Sequence, residues 1–130
     1  MRAIAMIAVL AGCRATVPPQ SATPGVGWYV GENDYYAKPG MADEVYRTRV
    51  EASAALAALG LAAGIVLRGP GGDGPDVIWR SAPYRDVGEV KPFNQKLMAD
   101  PRFLAAFNHM ATLLRHFERH RYVVMTFEAE

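Results

Sequence analysis

Asp76 and the Glu89-Val90-Lys91 triplet have the types and spacing to support metal-assisted chemistry. Pro75-Asp76 opens an apolar run that ends at Trp79, and the triplet lies in a second short run closed by Pro92. If the two runs are adjacent strands, alternation sends Glu89 and Lys91 to one face and Val90 into a core. Asp76, at the end of the neighbouring strand, then approaches the same spot. Two carboxylates beside a lysine suit a hard divalent cation, Mg2+ or Mn2+. Such an ion polarises a phosphate and lowers the pKa of bound water. The lysine would steady developing charge or orient the nucleophile. On an edge strand the same triplet serves equally well as exposed charge or as a cross-strand ion pair.

The elements that must hold these residues follow from periodicity. Val45, Thr48, Ala52, Leu56 and Leu59 recur at spacings of three and four, which predicts a helix over Met41 to Leu59. Asp43 and Glu44 suit its N-terminus and Gly60 its end. Glu44 and Glu51 share a stripe flanking the apolar face. Leu61 to Leu67 reads as a first strand, Asp76 to Trp79 as a second and Asp86 to Lys91 as a third. The glycine-rich stretch Gly69 to Pro75 is a turn, since no Gly-Lys-Ser/Thr follows it. Asp100-Pro101 has the composition of a helix start. Phe103, Phe107, Met110, Leu114 and Phe117 extend that helix to about Arg119, and Tyr122 to Phe127 reads as a last strand.

With the order helix, three strands, helix, strand, Pro75-Asp76 and Glu89-Val90-Lys91 resemble the motif of the PD-(D/E)xK nuclease superfamily, toxin-type domains included. The likeness runs from about Met41 to the C-terminus. It implies an α/β, restriction-endonuclease-like core with a mixed four-stranded sheet flanked by helices. It implies Mg2+ or Mn2+ on Asp76 and Glu89, Lys91 assisting the attacking water, and Glu51 (Glu44 in reserve) completing the shell from the first helix. The implied activity is phosphodiester hydrolysis in DNA or RNA, with a cognate immunity protein as a further partner. Ala99 departs from the RecB-like pattern, which places a tyrosine four residues after the position of Gln95.

Composition bounds these readings. A chain of 130 residues, half of it apolar, suits one domain, taken as 28–130. Fourteen basic against thirteen acidic side chains give no global signature of a nucleic-acid partner. A single cysteine, Cys13, rules out an internal disulfide framework. Leu10-Ala11-Gly12-Cys13, behind Arg2 and an apolar stretch, resembles a bacterial lipoprotein signal. Residues 1–12 would then be removed, Cys13 would carry lipid, and 13–27, rich in Pro, Ser and Thr, would tether the domain to a membrane of the cell envelope. An envelope holds little nucleic acid. The alternative function is therefore a lipid-anchored, non-catalytic binding or immunity-type protein, and a misassigned start would instead leave a cytoplasmic or secreted toxin. His109, His116 and His120 fall on one flank of the expected second long helix, where a solvated face explains them better than metal binding does.

Overall fold

The computed structural model describes residues 25–125. Its central element is a strand that the turn-rich sequence Gly31 to Gly40 does not announce. Strand β1 (Tyr29–Ala37) pairs on one side with β3 (Val77–Arg80) and on the other with β4 (Leu114–Val123). Alternation places Asn33, Tyr35 and Ala37 on one face of β1 and Glu32, Asp34 and Tyr36 on the other. Asp34 is a poor strand former, but its backbone groups are bonded on both sides, and that tertiary pairing overrides propensity.

Helix α1 (Ala42–Ala58) forms as its periodicity predicts, burying Val45, Thr48, Arg49, Ala52, Ala55 and Leu56 along one face. Gly60 terminates it at φ +77°, a left-handed geometry that glycine adopts without cost. Strands β2 (Ile65–Arg68) and β3 form an antiparallel hairpin. Gly69 closes the turn between them, with its N–H donating to the Asp76 carbonyl at 2.8 Å. A Cβ there would lie 1.8 Å from the Pro75 carbonyl oxygen, so the position admits no side chain.

The third expected strand does not exist. Asp86 caps a 3-10 turn, Val87–Glu89, by accepting from Gly88 N at 2.9 Å, and the chain runs directly into helix α2 (Val90–Met98). Pro92 therefore lies in the first turn of a helix, where its missing N–H has no ladder partner to lose. Helix α3 (Pro101–Leu113) starts at Asp100, whose Oδ2 accepts from Phe103 N at 2.9 Å. Asp100→Ala is expected to destabilise the protein by about 0.5–2 kcal/mol, the usual worth of an N-cap, as read by urea denaturation.

Helix α3 also stops earlier than the apolar spacing suggests. Leu114 turns to extended geometry (φ −103°, ψ 141°), and the next residues pair with β1 along almost its whole length. Phe117 and the histidines that follow Leu113 are strand residues, so His109 shares no helix face with His116 and His120.

The element order is β1-α1-β2-β3-α2-α3-β4 and the sheet order β2-β3-β1-β4, with every pairing antiparallel. This corrects the expected restriction-endonuclease-like core, which begins with a helix and has a mixed sheet. The physical reason is β1, which takes an inner place in the sheet and pairs antiparallel with both β3 and β4. The helices pack on the face carrying Tyr35 and Trp79, and the core of Val45, Leu56, Val77, Phe103 and Met110 lies between the layers. Among the described residues no helix is long and apolar enough to cross a membrane.

Candidate ligand-binding cavity

Between sheet and helices the packing leaves a cavity of about 690 Å³. The sheet contributes Asn33, Tyr35, Trp79, Phe117 and Arg119, and α1 contributes Arg49, Ala52 and Leu56. Phe93, Leu97 and Met98 reach it from α2, and Phe103, Phe107 and Met110 from α3. The lining is mostly aromatic and aliphatic, and the size falls within the roughly 300–1,000 Å³ typical of small-molecule sites. Its charged members are Arg49, Arg115 and Arg119, and no Asp or Glu lines it.

Arg49 is the unusual member. It sits on the core face of α1, one turn beyond Val45, and is 5% exposed. Its guanidinium lies over the Trp79 ring, 4.8 Å from the centroid. Nη1 donates to the Tyr35 hydroxyl at 3.1 Å and Nη2 to Ser53 Oγ at 3.3 Å. Nε is buried without a hydrogen-bond partner, and no carboxylate among the described residues forms an ion pair with this side chain. A buried cation without an anion is costly, since the interior does not replace the hydration the charge gives up.

A string of hydrogen bonds runs from Arg49 to the cavity rim. Tyr35 Oη accepts from Asn33 Nδ2 at 3.2 Å as well as from Arg49, and Asn33 Oδ1 accepts from Arg119 Nε at 3.4 Å. The Arg119 contact orients the Asn33 amide. With two donors on its oxygen, Tyr35 retains its own hydroxyl hydrogen for a further acceptor. The polar part of the cavity thus offers positive charge and donors beside apolar walls.

No protein-family model matches the chain, and no curated protein sequence matches it. Solved structures do. A NIPSNAP family protein from Agrobacterium tumefaciens is 21% identical with a TM-score of 0.66, over 82% of this chain and 94% of that one. A dimeric protein of unknown function from Bacteroides fragilis, described as ferredoxin-like, is 17% identical with a TM-score of 0.56, over 75% and 96%. A candidate antibiotic biosynthesis monooxygenase from Chloroflexus aurantiacus is 20% identical with a TM-score of 0.53, over 78% and 97%. The fold is ferredoxin-like.

The ferredoxin-like topology overturns the resemblance to PD-(D/E)xK nucleases, and the nuclease activity and toxin role drawn from it fall too. Its strand premise fails at the triplet. Glu89 ends the 3-10 turn and Lys91 lies in the first turn of α2, both exposed, so period-two alternation does not relate them. Asp76, half-buried just before β3, is engaged structurally: its Oδ2 accepts from Ala37 N at 2.8 Å and locks the end of β1. Glu51 is exposed on α1, and Glu44 pairs with Arg47 and His109. Among the described residues, the group of acidic and histidine side chains close enough to share one ion is Glu32, Asp34 and His120, and it includes none of these. Cys13 and residues 1–24 lie outside the described residues.

Sequence reasoning missed Arg49, although the signal was present. A charge at the spacing of the core positions Val45, Ala52 and Leu56 is a buried charge, and a buried charge asks for a partner.

Proposed function

We propose that the protein binds a small, flat, mostly apolar anion in this cavity, a molecule of two or three rings bearing a carboxylate or an ionised hydroxyl. The observation that carries this is the unpaired, buried Arg49 in a chamber without acidic lining. A planar guanidinium binds a carboxylate through two parallel hydrogen bonds. Here the remaining N–H groups of Nη1 and Nη2 and the Tyr35 hydroxyl hydrogen supply donors, while Trp79, Phe103 and Phe107 offer faces for rings. Binding would supply the negative charge the folded chain leaves out.

The test is a calorimetric titration of the protein with matched pairs, 2-naphthoate against 2-naphthamide and anthracene-2-carboxylate against its amide. The acids should bind at least about tenfold more tightly than the neutral amides, the scale of one charge-assisted hydrogen bond. Equal affinity within each pair, or no heat with any acid, would reject the reading. Oxygen uptake by the same samples asks whether a bound anion is also oxidised, the activity class for which the Chloroflexus protein is named.

A further inference from the structure

The opposite face of the sheet carries a second constellation. Glu32 and Asp34 on β1 lie across from His120 and Glu118 on β4. One ligand atom each from Glu32, Asp34 and His120 lie within 4.8 Å of one another. His120 Nε2 faces Asp34 Oδ2 at 3.3 Å and Glu118 Oε1 at 3.2 Å, so this nitrogen points into the group. Glu32 Oε1 is held by Arg80 Nε at 2.8 Å, whereas Oε2 has a long contact, 3.5 Å, from the Tyr122 hydroxyl.

Asp34 makes the arrangement more than a polar patch. The residue is 7% exposed, and its Oδ1 is buried without a hydrogen-bond donor. Burial and the neighbouring Glu32 push its carboxyl above the ordinary range. Burial raises Glu32 too, but hydrogen bonds with Arg80 and with Asp34, together with the charges of Arg80 and His120, hold that carboxyl low. An ionised Asp34 is thus desolvated, beside a like charge, with an orphan oxygen. A cation resolves all three problems at once.

We propose that Glu32, Asp34 and His120 form a binding site for a divalent transition-metal ion such as Zn2+ or Co2+. Two carboxylates and an imidazole nitrogen suit these metals, whereas Mg2+ and Ca2+ take oxygen ligands. Donors bound tetrahedrally at about 2.0–2.1 Å lie roughly 3.3 Å apart, so the three groups need close by about 1.5 Å at most. Rotation of half-buried His120 and release of Glu32 Oε2 from its long contact supply that movement. Glu118 adds an oxygen within reach, and Arg80 orients Glu32 through Oε1, as outer partners do for metal ligands.

Untagged full-length protein, stripped with a chelator, is titrated with Co2+ and followed by visible absorption, then with Zn2+ by calorimetry. One ion per chain should bind, with ligand-field bands near those of nitrogen–oxygen coordination, and Mg2+ should compete for neither ion. Asp34→Asn and His120→Gln should each weaken binding at least about tenfold, the least expected when a ligand or its support is lost. His109→Gln, which removes an exposed histidine paired with Glu44, should change nothing. Circular dichroism confirms that each variant is folded, and if Asp34→Asn is not, His120→Gln decides alone. Binding that survives loss of His120, or no Co2+ bands at millimolar ion, would overturn the site.

Discussion

Arg49→Met is expected to weaken binding of an aromatic carboxylate by roughly 30- to 4,000-fold, from about 2–5 kcal/mol for truncating one side of a buried, hydrogen-bonded charge pair. Much of that loss is the cost of burying the ligand's charge with nothing to meet it. Methionine keeps the apolar stem of the side chain about as far as Nε, while the guanidinium and its stacking over Trp79 are removed. Arg49→Lys should fall between, because an ammonium keeps the charge but not the planar fork. The free protein should tolerate the methionine well. It removes a cation that has no ion-pair partner, and Asn33 Nδ2 still donates to the Tyr35 hydroxyl. Affinities from calorimetry and melting temperatures from circular dichroism should therefore move independently. If Arg49→Met binds the acid as tightly as the unmodified protein does, the anion is held elsewhere.

Leu56→Ala should act in the opposite way, on stability first. Among the described residues Leu56 is the largest side chain that is fully buried, packed where α1 meets the sheet and α3. Truncating a buried leucine costs about 2–5 kcal/mol through lost transfer energy and unfilled volume. For a domain of this size that corresponds to a fall in melting temperature of about 8–20 °C. Glu51→Ala on the same helix makes the contrast. Its side chain is exposed, and a surface change of that kind stays within about 0.5 kcal/mol. Were the two variants to melt together, α1 would not be docked through the face that carries Leu56.

Local signals in the chain set several elements correctly. The three-and-four spacing of α1, the Asp100-Pro101 start of α3 and the glycine-rich turn between β2 and β3 each act through neighbours in sequence, so they are legible there. The failures share a different cause. Residues 86–91 have the composition of a short strand, but no strand lies beside them to pair with, and the backbone closes its bonds locally as a 3-10 turn and a helix. Phe117 continues the apolar spacing of α3, yet β1 offers an edge that draws the chain out at Leu114. The misread triplet in turn suggested a nuclease, because Glu-x-Lys means a shared face only on a strand.

The candidate sites divide along the same line. That Arg49 lies on the buried face of α1 is determined by its position in the helical repeat. That it is left without an anion was decided by the fold, which brings Tyr35 and Trp79 to it and no carboxylate. Likewise Glu32 and Asp34 share a face of β1 by alternation alone, once β1 is a strand. Only the pairing of β1 with β4 sets His120 opposite them, because strand register is fixed by hydrogen bonds between segments far apart in the chain.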